Sequence, residues 1–239
     1  MEVAVDRPAG RAIVEESVRI PCGSLALEGA LAYPEAAEPD TAFLLLAPHP
    51  HMGGRMDNNV IRHLARRGAE TGCVTLRFDY RGVGASPIEL PRGTSVHDHF
   101  AALERERRYE ALLPDCAAAW RALAAAAPGA RRRAIVGYSL GAILAGRLAR
   151  EVDATHVVAI SPPVARVSLE WPRACALPKL FVGGDRDFAF DRSRFDDEYA
   201  QLPEPKRFVG LAGSDHFYRK EEERVFGAVA DFLSLQRTG

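Results

Sequence analysis

The stretch Ala134-Ile135-Val136-Gly137-Tyr138-Ser139-Leu140-Gly141-Ala142-Ile143-Leu144-Ala145 decides how the rest of the chain is read. A short apolar run ends in Gly-x-Ser-x-Gly and passes at once into a helical pattern. The order is strand, sharp turn, helix. Such a turn holds its central residue in a strained backbone conformation, with the hydroxyl pushed out beyond the sheet. Gly137 and Gly141 fit because strand and helix nearly touch there, and a Cβ would clash. The N–H of Leu140, first in the helix, points at negative charge growing beside Ser139. Ser139 is therefore the candidate nucleophile, and Leu140 a candidate oxyanion donor.

Outward from this turn the chain alternates strands with helices. Residues from about 11 to 34 read as two β-rich runs around the turn signal Pro21-Cys22-Gly23-Ser24, an antiparallel hairpin. Thr41-Ala42-Phe43-Leu44-Leu45-Leu46-Ala47 is continuously apolar, as suits a strand buried on both faces of a parallel sheet. Asp57 or Asn58 can cap a helix that closes near Gly68 or Gly72. Further strands are expected at 73–80, 155–161, 178–184 and 206–211, with helices from about Pro114 to Ala127 and Arg219 to Leu235. Residues 87–113 read as irregular, then charged. The whole, residues 1–239, reads as one α/β domain: a mostly parallel sheet of about eight strands with helices on both faces.

Composition narrows the function classes. A formal net charge of −1 gives no electrostatic case for nucleic acid. No stretch is apolar and long enough to span a membrane, and the first residues carry no secretory signal pattern. Cys22, Cys73, Cys116 and Cys175 are widely spaced, which suits reduced, buried thiols and a cytoplasmic location rather than a metal site. The glycines of Arg81-Gly82-Val83-Gly84-Ala85-Ser86 complete neither a phosphate loop nor a dinucleotide fingerprint. No cofactor or metal is expected, although His97-Asp98-His99 supplies two imidazoles that could line a pocket. With Ser139 read as a nucleophile, the expected partner is a small-molecule acyl substrate; the sequence leaves the oligomeric state open, a homodimer included.

A serine nucleophile needs a base, and the base an orienting carboxylate. His216 follows the last strand directly. Asp185 and Asp187 both stand just after the preceding strand, in Gly183-Gly184-Asp185-Arg186-Asp187. The chain order is then Ser, Asp, His. With these residues in place, the chain resembles the α/β-hydrolases, and most closely the small bacterial hydrolases related to dienelactone hydrolases and serine-aminopeptidase-like enzymes. The resemblance rests on residues 49–58 (His-Pro-His-Met-Gly-Gly-Arg-Met-Asp-Asn), 81–86, 137–141, Gly184-x-x-Asp187 and Asp215-His216-Phe217. It implies an α/β-hydrolase fold with a reduced cap. It favours Asp187 over Asp185 as the acid. It makes the backbone N–H of His51, or alternatively of Met52, the second oxyanion donor.

The function expected from these residues is that of a serine hydrolase acting on an ester, thioester or activated amide. Acyl transfer, C–C cleavage or a cyclase or lyase step would use the same site, and a binding protein with a degenerate site is disfavoured by the intact Ser, Asp and His. Met52, Tyr138, His99 and Trp171 are the candidate pocket residues. The link from Pro162 to Leu177 is too short for a cap domain. Residues 87–113 leave a strand at its active-site end and carry Ile88, Leu90, Val96, Phe100, Leu103 and Tyr109 among many charges. They are expected to fold over the pocket as a lid, with Trp171 on the opposite wall.

Overall fold

The computed structural model describes residues 12–35, 39–168 and 175–235. Eight strands form one sheet in the order β1-β2-β4-β3-β5-β6-β7-β8. They are β1 (Ile13–Cys22), β2 (Leu25–Pro34), β3 (Thr41–Leu46), β4 (Val74–Phe78), β5 (Arg132–Tyr138), β6 (His156–Ile160), β7 (Lys179–Gly184) and β8 (Lys206–Leu211). The β1–β2 hairpin turns at Gly23, which sits at φ 62°. It joins the sheet antiparallel to β4, and every pairing from β4 to β8 is parallel. Each residue of β3 and β7 is buried, as their unbroken apolar runs require of strands covered on both faces.

Six α-helices occur among the described residues: α1 (Asn59–Glu70), α2 (Val96–Glu106), α3 (Leu113–Ala126), α4 (Leu140–Leu148), α5 (Arg192–Ala200) and α6 (Glu222–Phe232). α1 packs with α6, and α3 with α4, so the sheet is covered on both faces. Asn58 caps α1, its side chain accepting from the N–H groups of Val60 and Ile61. Two 3-10 turns, Pro50–Met52 and Tyr109–Leu112, complete the elements near the sheet's C-terminal edge.

Three expectations need correction. Residues 96–106 are not irregular. Ser95 caps α2 in a reciprocal box with Asp98, and Phe100 and Leu103 are its buried side chains. That short apolar face is easily lost among the charges. α5 was not foreseen. It is mostly polar and is held by a side-chain cap from Asp191 and by burial of Phe195. The last helix starts at Glu222 rather than Arg219, because Tyr218 and Lys220 take positive φ values of 48° and 66° that a helix cannot contain. All four cysteines are free and buried, and burial pushes the Cys73 thiol up to about 11.

The β5–α4 junction is the tightest part of the fold. A Cβ on Gly137 would lie 1.9 Å from the Gly141 carbonyl oxygen, and one on Gly141 would lie 2.1 Å from the Leu46 oxygen. Both obstacles are backbone, so neither can swing away. Gly137→Ala should therefore lower stability by about 3 kcal/mol or prevent soluble folding, since an overpacked core typically costs about 1–3 kcal/mol even where side chains can adjust. A denaturant melt within about 0.5 kcal/mol of the parent would contradict this packing.

Candidate active site

The turn at the end of β5 holds Ser139 at φ 55° and ψ −113°. A non-glycine residue there costs roughly 1–3 kcal/mol and persists only where the surroundings enforce it. Here they do: the Ser139 N–H is bound to the Ile160 carbonyl at 2.9 Å, and the glycines on either side exclude any looser path. The Oγ is thereby held at the C-terminal edge of the sheet. Leu140, as first residue of α4, has no intrahelical partner for its N–H.

Two more strands deliver the partners to the same edge. Asp187 follows β7 and His216 follows β8. His216 Nδ1 donates to Asp187 Oδ1 at 2.8 Å, and its Nε2 lies 3.2 Å from Ser139 Oγ. A proton on Nδ1 leaves Nε2 as the unprotonated nitrogen facing the hydroxyl. Both the acid and the imidazole are buried. Asp187 Oδ1 also accepts from the Ala189 N–H at 2.8 Å, which fixes the carboxylate within its own turn. Asp185 turns the other way, and its Oδ1 accepts from the Gly213 N–H at 2.7 Å. Of the two aspartates, Asp187 reaches the histidine, and Asp185 ties together the loops that carry Asp187 and His216.

The loop after β3 runs past Ser139 and is braced from several sides. Asp79, fully buried at the end of β4, accepts from the Met56 N–H at 2.7 Å. Burial raises its carboxyl pKa, against the pull of that N–H and of Arg55. Arg77 reaches the Met56 carbonyl at 3.3 Å and Asp57 at 2.9 Å. Asn59 donates to the Phe217 carbonyl at 3.0 Å, linking this loop to the one that carries His216. Within the loop, the His51 N–H donates to His49 Nδ1 at 3.2 Å, and the Met52 N–H donates to the His49 carbonyl at 2.8 Å. Burial lowers the His49 pKa, while Glu104 opposes the shift. Neutral His49 with Nδ1 accepting must carry its proton on Nε2. That atom is buried with no hydrogen-bond partner among the described residues, 3.6 Å from Glu104 Oε2.

A cavity of about 180 Å³ opens at Ser139 and His216. His49, His51, Met52, Glu104, Tyr109 and Phe188 stand in its wall. Pro163, Arg166 and Val167 of the link after β6 also contribute. Met52, half exposed, and His51 lie where the sequence pointed. Tyr138 does not: it is buried beneath the site, with its hydroxyl donating to the His216 carbonyl, and burial raises its pKa. Its ring packs beneath the site beside the His216 and Tyr218 rings, at 5.6 and 6.1 Å, and takes no part in the cavity wall. His99 is also absent from the wall. On α2 it stands about 200° around the helix from His97, which stacks on His51 at 4.6 Å. Glu104, seven residues after His97, comes back to the same face. His99 packs edge-on against Phe100 instead, and its pKa is lowered by burial and by Arg108 and Arg81. Trp171 lies outside the described residues.

Tyr109 belongs to the segment expected over the pocket and stands in its wall, whereas the sequence singled out neither Glu104 nor Phe188. Glu104 joins three groups: it accepts from the Tyr109 hydroxyl at 2.8 Å, pairs with Arg166 at 3.4 Å and stands beside His49. Its signal was the spacing from Phe100 and Leu103, which puts it next to the buried face. Phe188, between Asp187 and Ala189, is 58% exposed and lies 4.8 Å from the His216 ring. Of the candidate lid residues, Phe100, Leu103 and Tyr109 are buried, whereas Val96 is exposed.

This geometry has the form of a hydrolase, and the sequence agrees. The alpha/beta hydrolase family matches residues 29–237, and the chain belongs to that family. It is 28% identical over 212 residues to an uncharacterized protein of Rickettsia prowazekii, covering 84% of this chain and 82% of the other. An alpha-beta serine hydrolase homologue from Coxiella burnetii superposes with a TM-score of 0.70 at 24% identity, covering 91% of this chain and 97% of that one. Dienelactone hydrolase from Anabaena variabilis has a similar fold, with a TM-score of 0.68 at 18% identity over 94% and 99% of the two chains. Among the described residues, no helix is long and apolar enough to cross a membrane.

The Tyr138 hydroxyl is the support of His216 most open to a clean test. Tyr138→Phe leaves the ring in place and strands the buried His216 carbonyl. Stability should fall by about 1–3 kcal/mol in a chemical melt. An unchanged midpoint would mean that this hydrogen bond does not hold the histidine loop.

Proposed function

We propose that the chain is a serine hydrolase that cleaves an ester, thioester or activated amide of a small molecule through an acyl-enzyme. The observation that carries this reading is the unbroken hydrogen-bond relay from Ser139 through His216 to Asp187, opening on a cavity. Ser139 Oγ attacks the carbonyl carbon as its proton passes to His216 Nε2. Asp187 holds the imidazole in the right tautomer and stabilises its positive charge. The tetrahedral oxyanion is bound by the N–H groups of Leu140 and His51. An oxyanion is a far stronger acceptor than neutral imidazole. The His51 N–H, resting on His49 in the free protein, is therefore drawn to the substrate as charge develops. An interaction that strengthens only then favours the transition state over the ground state. The leaving group takes the proton from His216. Water, activated by the same nitrogen, then attacks the acyl carbon and releases the acid, regenerating Ser139.

The 87–113 segment supplies one wall of the acyl pocket through Glu104 and Tyr109, and sets which acyl groups fit. Product analysis with and without an added nucleophilic acceptor distinguishes hydrolysis from acyl transfer at the same site.

Ser139→Ala should reduce turnover of activated esters by about 10³-fold or more and abolish labelling by a fluorophosphonate, with the melting curve preserved. Activity within about tenfold of the parent would overturn the assignment. The two aspartates give a second test. Asp187→Asn should lower kcat by about 10⁴-fold, as loss of the orienting acid does elsewhere. Asp185→Asn should cost about 1 kcal/mol of stability and leave kcat within a few-fold. The opposite ranking in an ester assay would assign the acid role to Asp185.

A further inference from the structure

Beside the active-site cavity lies a second, larger depression of about 400 Å³. Tyr109, Arg166 and Val167 belong to both walls, so the two spaces are immediate neighbours. Besides Arg166, the second space is lined by Arg107, Arg147, Arg150 and Arg194. These arginines come from four separate parts of the chain: the end of α2, α4 and the turn after it, the link after β6, and α5. Among the described residues, no carboxylate lines this groove. Three of the five guanidinium groups are neutralised from outside it: Arg147 by Glu110 at 3.0 Å, Arg166 by Glu104 at 3.4 Å and Arg194 by Glu198 at 3.2 Å. Arg107 and Arg150 have no ion pair among the described residues. In a chain whose formal net charge is −1, two uncompensated cations in one groove are a local excess.

Scattered surface arginines would need no explanation. These converge on one concavity that shares a wall with the cavity at Ser139. Two unpaired guanidinium groups, with three more that can share their donors, match the two charges of a phosphate monoester or pyrophosphate group. The planar guanidinium binds such oxygens in bidentate fashion. We infer that the substrate carries a phosphate-class dianion, held in this groove, while its acyl carbon lies at Ser139. The inference rests on the hydrolase reading above and narrows its substrate to a phosphorylated ester or thioester. The groove adds affinity at a distance from the reacting carbonyl, so a substrate lacking the anion should bind more weakly.

Two measurements test it. The first does not depend on catalysis. Inorganic pyrophosphate is titrated calorimetrically into the parent protein and into the Arg107→Gln, Arg150→Gln double variant, whose melting curve is checked against the parent. Saturable binding that weakens about tenfold or more in the variant, and weakens further with salt, is expected. Citrate serves as the carboxylate control and should bind less well than pyrophosphate. The absence of saturable pyrophosphate binding, or equal binding by the variant, would overturn the inference whatever the enzyme hydrolyses. Tighter binding of citrate would overturn the phosphate assignment.

The second measurement compares butyryl-coenzyme A with the butyryl thioester of N-acetylcysteamine, which has the same scissile bond without phosphates. The parent should show a KM about tenfold or more lower for the phosphorylated thioester. The double variant should lose that advantage and keep the parent's rate on the neutral one. Equal KM values for both thioesters in the parent would count against the groove. Failure of both thioesters and of fluorophosphonate labelling would instead overturn the hydrolase reading, on which the inference depends.

Discussion

The contact on which the site depends is the backbone-to-backbone approach of β5, α4 and β3 at Gly137 and Gly141. No side chain fits between them, so the chain must reverse within one residue. Ser139 takes the left-handed strained conformation as a result. That reversal places the hydroxyl at the sheet edge and the first free N–H groups of α4 beside it. The strain is tolerated because the parallel strands on both sides of β5 are buried, β3 throughout and β6 at every residue after His156, and cannot shift to relieve it.

The remaining parts of the site are held by polar bonds between loops rather than by packing alone. Asp79, Arg77 and Asn59 pin the loop after β3, Asp185 pins the loop before His216, and the Tyr138 hydroxyl pins His216 from below. Each of these groups lies in or beside a strand or helix and reaches out to a loop. Rigid elements thus fix the backbone of the segments that carry the reacting groups, which is the arrangement precise positioning demands. The acidic Asp79 is part of this bracing. It is buried under the loop and takes no place in the relay.

The cavity has a different character. Glu104, Arg166, His49 and the Tyr109 hydroxyl make one side polar, while Val167, Met52 and Phe188 make other parts of the wall apolar. A polar cluster of this kind restricts which groups of a bound molecule can lie against it, since a buried charge or donor without a partner is costly. The neighbouring arginine groove extends the polar side outward. The walls of these two spaces are thus drawn from the link after β6, from α2 and from α5, which lie far apart in sequence.

Much of this was legible in the chain itself. Continuous apolar runs named the buried strands, turn residues named the hairpin, and Gly-x-Ser-x-Gly between a strand and a helix named Ser139. The order Ser, Asp, His followed from which loops succeed which strands. These features are local, because backbone periodicity and glycine geometry are properties of short segments. The choice of pocket residues was not local. Tyr138 is kept from the pocket by its place beneath His216, and His99 by helix rotation. Glu104 was hidden in a charged run whose buried face spans only Phe100 and Leu103. Between the two aspartates, residue type and spacing allowed either to reach His216, and only the resemblance favoured one. Only the tertiary packing of the two loops turns one carboxylate onto the imidazole and the other onto the Gly213 N–H. Sequence determines which segments can carry a group to the sheet edge, whereas the direction in which the side chain finally points depends on neighbours that the chain brings up from elsewhere.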